Sequence, residues 1–334
     1  MVRAKQDQLT QEVRASLADS YPEAGLVACR PRLWQVQIVA LGLLVAACSS
    51  PQSTTGGAPG TISVGDGPSA TTFADGALWV ANHGSSTVTR IDTATDTVTA
   101  TIKVDRGPRA ITSGDGSVWT ANIDANSVSR IDVSTNSVTA TIPVGLMPSS
   151  ITFGRGSLWV ANSFEDTVSR IDPARNQVIG TIHAGLDPLG ILFAAGSVWV
   201  ADDGSTNRVA RINPNTNGVV ASVSVGKMPG GLAFGGGSLW VANGESGSIS
   251  RIDPQTNRVI ATISVGGNPL ALAFGAGALW VVNTRDNSVS RVEPSTNEVT
   301  RTVPVGSFPL GATFATHSIW VANGISDTVT RVGV

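Results

Sequence analysis

Gly237-Ser238-Leu239-Trp240-Val241-Ala242-Asn243, followed ten residues after its tryptophan by Ser250-Arg251-Ile252-Asp253-Pro254-Gln255-Thr256-Asn257, is one copy of a pattern that recurs along most of the chain. Its tryptophan belongs to a series, Trp79, Trp119, Trp159, Trp199, Trp240, Trp280 and Trp320, spaced by 40 residues at every step but one, which is 41. A period of about 40 residues built from short strands is the mark of a β-propeller blade, and the helix-forming runs that helical repeats require are missing.

Turn residues cut each copy into four strands, A to D. In the sixth copy, strand A runs from Leu270 to Phe274 after Pro269, and Gly275-Ala276-Gly277 leads into strand B, Ala278 to Asn283. Strand C is Ser288 to Glu293, and Pro294-Ser295-Thr296-Asn297 opens strand D, Glu298 to Val303. Strand B is apolar on both faces, with Leu279 and Val281 on one side and Trp280 and Val282 on the other. A sheet packed between two neighbours needs that pattern, whereas a sheet with one wet face alternates. The last copy stops after strand C, Thr328 to Val332, and an orphan D-like strand, Thr61 to Gly65, precedes the first. These observations predict an all-β, seven-bladed propeller of four-stranded antiparallel blades over residues 61–334, closed by the N-terminal strand in the last blade.

Composition agrees. Of 334 residues, 41% are hydrophobic and 14% charged, against about 25% charged in an average domain. A net charge of −2 argues against a duplex-binding surface, which needs a dominant Lys/Arg patch.

Residues 1–60 have another character. Arg30-Pro31-Arg32 precedes an uncharged stretch, Leu33 to Ala47, which is short for a membrane span of about 20 residues and suits a signal-peptide core. Cys48 and a Ser/Thr/Gly/Pro-rich linker, Ser49 to Gly60, follow at once. Val45-Ala46-Ala47-Cys48 resembles the lipobox of bacterial lipoproteins. The resemblance implies removal of residues 1–47, a lipid on Cys48, and a tether over 48–60 that holds the protein at the extracytoplasmic side of a bacterial envelope. Residues 1–26 form a polar overhang, so a biological start near Val27 is expected; Cys29 then falls inside the discarded signal and no disulfide is expected.

The repeat wording, Leu-Trp-Val-Ala-Asn, then Thr-Val-Ser-Arg-Ile-Asp-Pro, then Ala-Thr-Ile, resembles the YVTN-type 40-residue propeller repeat over residues 61–334, with Trp in place of the family's Tyr. Asp75-Gly76-Ala77-Leu78-Trp79 also resembles the strand B entry of the virginiamycin B lyase (streptogramin lyase) group. That group's repeat continues Trp-Phe-Thr-Glu, where this chain has Trp79-Val80-Ala81-Asn82.

Residues present in every blade are read as architecture, since one site has no use for seven copies. This covers the tryptophans, the strand C arginines from Arg90 to Arg331, and the asparagines that end strand B, expected to hydrogen-bond the following turn. His83, His183 and His317 fall at different blade positions and form no ligand cluster, so no metal site or cofactor is predicted. Function is expected where the repeat breaks, on the upper face that carries the B–C and D–A loops. The candidate ligand-binding residues there are His83, Arg106, Arg109, Glu165, Asp203, Lys227, Glu245 and Arg285. Blade four departs with its insertion and Asp202 for Asn, and blade two with Asp105 for Gly and Ser113 for Phe.

The expected function is a monomeric binding module for an envelope protein, a glycan or a small ligand. An alternative is a lyase or lactonase-type hydrolase, with His83 as base and a divalent cation such as Mg at Glu165 or Glu245. A third is an assembly role in the envelope.

Overall fold

The computed structural model describes residues 60–203 and 206–334. The expectations for residues 1–59, including Cys48, lie outside the described residues.

Seven four-stranded antiparallel sheets form a ring, a seven-bladed β-propeller. Blade one comprises β2 (Pro68–Ala74), β3 (Ala77–Asn82), β4 (Thr87–Asp92) and β5 (Thr97–Lys103), paired in that order from the axis outward. The following blades repeat this scheme. The innermost strand of each packs against that of the next, and β26 (Pro309–Ala315) packs against β2. Strands B and C of blade six begin and end as the sequence predicts, while its strand A runs from Pro269 to Gly275, its strand D reaches Pro304, and strand C of the last blade reaches Gly333.

Closure is as expected. The last sheet has the order β1-β28-β27-β26, with β1 (Thr61–Ser63) supplying the fourth strand beside β28 (Thr328–Gly333). Ile62 lies opposite Val329 and is buried in the cluster that includes Leu78, Val80 and Trp320.

Each A–B hairpin is a two-residue turn with both residues at positive φ, such as Asp75 at 49° and Gly76 at 70°. That geometry matches the twist of the flanking strands. Blade seven builds the same turn from Thr316 and His317, neither of them glycine.

Every residue of all seven B strands is buried. Six tryptophans donate Nε1–H to the carbonyl of the last residue of their own strand A, as Trp159 does to Gly154 at 3.2 Å. Blades also interlock through a glycine. A Cβ on Gly114, Gly154, Gly235 or Gly275 would sit 2.0–2.2 Å from the phenylalanine ring of the following blade. Blade one has Ala74 at this place, and blade two answers with Ser113, whose hydroxyl bonds Phe73 O at 3.3 Å.

The arginine series proves to be an inter-blade clamp. Arg130, Arg170, Arg211 and Arg251 each stack on the tryptophan of their own blade. Each donates Nε–H to a strand B serine and Nη1–H to the proline carbonyl and asparagine side chain of the next blade's C–D turn. Arg331 closes the circle by gripping both oxygens of Asp96 in blade one, at 3.0 and 3.1 Å. Arg291 faces blade seven, where strand D comes from the other end of the chain and no C–D turn exists. It bonds Thr300 and Glu293 within its own blade. Arg331→Ala should therefore cost about 2 kcal/mol, from lost charge-assisted bonds and ring stacking, and Arg291→Ala under about 1 kcal/mol. Urea denaturation of the two variants measures the difference.

The strand B asparagines differ in detail from expectation. Their Nδ2 groups bond two strand C hydroxyls, as Asn82 does with Thr87 and Thr89, because those side chains stand closer than the turn backbone. The amide oxygens of Asn82, Asn162, Asn243, Asn283 and Asn323 have no protein partner.

Candidate functional site

The upper face is set by a repeated backbone bond. The first residue of each B–C loop donates its N–H to the D–A loop of the same blade, as in His83 to Gly67, Ile123 to Gly107 and Asp203 to Asp187. Its side chain points toward the next blade in Thr284, which donates Oγ1–H to Pro309 O at 2.8 Å, and in His83, and back to its own blade in Ser163, which donates to Met147 O at 3.0 Å. The second residue of each strand A stands beside it: Ser69, Arg109, Ser149, Leu189, Gly230, Leu270 and Leu310. Around the mouth, therefore, one cationic side chain sits among small and apolar ones.

Blade two holds that cation in place. Thr120 Oγ1 donates to Asn122 Oδ1 at 2.9 Å, and Asn122 Nδ2 to Ser127 Oγ at 3.1 Å. Ser127 Oγ donates in turn to Asp105 Oδ2 at 2.9 Å, while Arg106 N donates to Asp105 Oδ1 at 3.0 Å. This chain fixes the D–A loop immediately before Pro108 and Arg109. Thr120 stands where the other blades carry Val, and Asp105 where most carry Gly, so the two departures belong to one network.

Arg109 lies at the second position of β6 (Pro108–Gly114) and is half-buried. Its guanidinium makes no hydrogen bond or ion pair among the described residues, and burial pushes its pKa below the ordinary value. His83 faces it from blade one. His83 Nε2 lies 3.5 Å from Asp124 Oδ2, bridging blades one and two. Burial is the largest cause that lowers the His83 pKa, Arg109 adds to it, and Asp124 and Asp66 oppose it. His83 is thus neutral near pH 7. Gly107 has φ of 69°, and a Cβ there would meet Asp124 Oδ2 at 2.4 Å, so only glycine lets Asp124 reach His83.

Blade four carries the opposite charge. Burial, with Asp187, Asp202 and Glu245 nearby, pushes the Asp203 carboxyl up to about 7. Asp202 replaces the strand B asparagine, and strand C presents Arg208 and Ala210 where other blades have hydroxyls. Donor and acceptors are lost together, and Asp202 instead accepts from Leu186 N at 3.0 Å and from Thr206.

The structure thus brings His83 and Arg109 together, with Arg106 beside them donating to Asp124 O at 3.4 Å. Lys227 and Glu245 form a solvent-exposed pair at 3.6 Å on blade five, and the Asp203 carboxyl senses Glu245. Glu165 and Arg285 are exposed and lie over Gly145 and Gly267 of their own blades. Asp124 and Thr120 are not among the candidates singled out from the sequence; for Thr120 the Val-to-Thr exception was the available signal. Among the described residues, no group of three or more His, Cys, Asp or Glu is arranged to hold a metal ion.

No family model matches the chain, and no curated protein sequence matches it. Solved structures do. Hydrazine synthase of Kuenenia stuttgartiensis matches with a TM-score of 0.72 at 19% identity, covering 86% of this chain and 99% of that one. A streptogramin B lyase matches with a TM-score of 0.72 at 19% identity, covering 81% and 95%. A computationally designed protein, Ika8, matches with a TM-score of 0.63 at 12% identity, covering 80% and 83%. At these identities the likeness is one of fold.

Proposed function

We propose that this propeller is a binding module of the bacterial envelope, anchored through a lipid on Cys48, that takes an envelope protein, a glycan or a small ligand on its upper face. The observation that carries this reading is the concentration of symmetry-breaking, chemically distinctive groups at one mouth of the ring: Arg109, His83, Asp124 and Asp203. The lower hairpins, by contrast, are mostly Gly, Ala, Ser and Asp turns. A charged group without a partner and a carboxyl with a raised pKa are the usual signature of a functional surface. A monomer suffices for this role, and no cofactor enters it.

A second reading, a lyase, draws support from the His83–Asp124 pair and from the fold likeness to a streptogramin B lyase. In that reading His83, neutral near pH 7, is the general base and Asp124 orients it.

The test has two arms. Cys48→Ala should move the protein from the membrane to the soluble fraction and remove lipid mass from the first residue; wild-type protein that is wholly soluble contradicts the anchor. In a thermal-shift panel of glycans, peptides and small acids, Lys227→Ala with Glu245→Ala, and separately Arg285→Ala, should weaken the ligand response while folding is kept, since exposed loop changes cost less than about 0.5 kcal/mol. Loss of response on substituting Asp75, Asp115 and Arg155 in the lower hairpins, with the upper variants unaffected, would move the site to the opposite mouth. A ligand response abolished by EDTA would favour the lyase.

A further inference from the structure

We propose that the upper mouth binds a small monocarboxylate with an apolar body, Arg109 taking the carboxylate and Leu189, Leu270 and Leu310 the apolar part. The proposal rests on the upper-face reading above and adds the chemistry of the ligand.

The first ground is the state of Arg109. Half-buried guanidinium groups in folded proteins are paired, because an uncompensated charge is costly to desolvate. The strand C arginines of this protein follow that rule: six stack on tryptophans, and all six also bond the next blade. Arg109 has no such partner among the described residues. Instead, a blade-specific chain of hydrogen bonds from Thr120 through Asn122 and Ser127 to Asp105 holds the loop that leads into it. A rigid loop presenting an unpaired planar donor fork suits an oxyanion that accepts two parallel N–H bonds.

The second ground is the charge around it. Burial lowers the pKa of His83, which is held at Asp124, and Arg106 lies exposed with its guanidinium on Asp124 O, so Arg109 is the half-buried full positive charge at this side of the mouth. Asp187, Asp202, Asp203 and Glu245 gather on blades four and five. A half-buried guanidinium facing an acidic sector suits a single negative charge better than a dianion such as a phosphate monoester.

The third ground is the apolar arc. At the position that holds Arg109 in blade two, blades four, six and seven present Leu189, Leu270 and Leu310, each partly exposed. Gly230 leaves room beside Leu270, since a Cβ there would lie 3.7 Å from Leu270 Cδ1, while Leu310 packs directly onto Gly324, where a Cβ would meet Leu310 Cδ1 at 2.9 Å. Three partly exposed leucines, one of them beside an open glycine, offer a surface for an aliphatic or aromatic body.

The experiment is calorimetric titration of the full chain at pH 7 with hexanoate and with its uncharged counterpart hexanamide. Hexanoate should bind with a Kd in the low millimolar range or tighter, and hexanamide about tenfold or more weaker. Arg109→Met should lose about tenfold or more in hexanoate affinity and leave hexanamide unchanged, while Arg109→Lys keeps part of the affinity as a point charge. A far-ultraviolet spectrum and melting curve equal to wild type show that Arg109→Met is folded; should it not fold, Arg109→Lys and the hexanamide comparison carry the test. Equal affinity for the acid and the amide, equal hexanoate affinity in folded Arg109→Met, or no saturable binding of hexanoate by wild type would overturn the proposal. If hexanoate fails while Lys227→Ala with Glu245→Ala still weakens a panel ligand, the upper-face reading stands without the carboxylate subsite.

Discussion

Deletion of Thr61–Val64 lowers the melting temperature by about 10 °C. The deletion removes β1 and, with it, the pairing of Thr61, Ile62 and Ser63 to Thr330, Val329 and Thr328. Ile62 is 9% exposed and packs with Leu78, Val80 and Ile91 of blade one, so its loss uncovers the seam between last blade and first. Burial of such a side chain contributes about 1.5–3 kcal/mol, and each lost ladder bond about 0.5–1.5 kcal/mol. The Val64 N–H bond to Asp327 O goes as well. The total is about 5 kcal/mol, and in a protein of this size each kcal/mol shifts the midpoint by about 2 °C or more. The control is deletion of Ser53–Gly56 in the preceding linker, which should leave the melting curve where it was. Equal curves for the two deletions would mean that the ring is held shut by Arg331 and Asp96 without help from the strand.

Asp203→Asn should raise stability at pH 8 by about 2 kcal/mol and leave it unchanged at pH 4. The folded-state carboxyl titrates at about 7, against about 3.9 in an unfolded chain. Below pH 4 both states hold the proton. Between about pH 4 and 7 the folded chain keeps a proton that the unfolded chain has released, so stability falls as pH rises through this window. Above it the loss is complete. The unscreened loss over about three units is roughly 4 kcal/mol, and partial exposure of Asp203 halves it. Melting curves of the wild type and the variant at pH 4, 6 and 8 isolate this group, because every other titration is common to both. Parallel pH dependence in the two proteins would show that Asp203 ionises at an ordinary pH. A protein that keeps an acid at this disadvantage on an upper loop gains nothing for its fold, in line with a role in binding.

The fold was legible because a propeller writes the same physics seven times. Trp79 through Trp320 announce the period, the apolar-on-both-faces B strands announce burial between blades, and the missing last strand together with the spare Thr61–Gly65 announces closure. Repetition averages away the noise that makes single strand boundaries uncertain, and so strands B and C fall where the sequence puts them. Contacts between neighbouring copies were harder to read. Nothing in a single repeat says that Arg130 reaches the carbonyl of Pro173, or that the Ser113 hydroxyl reaches the carbonyl of Phe73, since both contacts join residues about 40 positions apart.

The candidate site was legible only as a list of exceptions. Of the eight residues singled out, the structure gathers His83, Arg109 and Arg106 with Asp124 at one side of the mouth, while Asp203, Lys227 and Glu245 share another. Glu165 and Arg285 stay on their own blades. The decisive property of Arg109, a charge without a partner, is a property of its surroundings and leaves no trace in the sequence. Likewise Asp202 alone resembles drift, and only its pairing with Arg208 on the adjacent strand, with Ala210 two residues further on, shows a coordinated exchange.

The most direct test of the claim that the upper mouth is the binding surface is a methyl-resolved NMR titration of the leucine- and isoleucine-labelled protein with hexanoate. The account predicts saturable shifts of the Leu189, Leu270 and Leu310 methyls, abolished by Arg109→Met, with the Ile179 and Ile260 methyls on the outer strands unmoved. Shifts confined to Ile179 and Ile260, or upper-mouth shifts that persist in Arg109→Met, would contradict it.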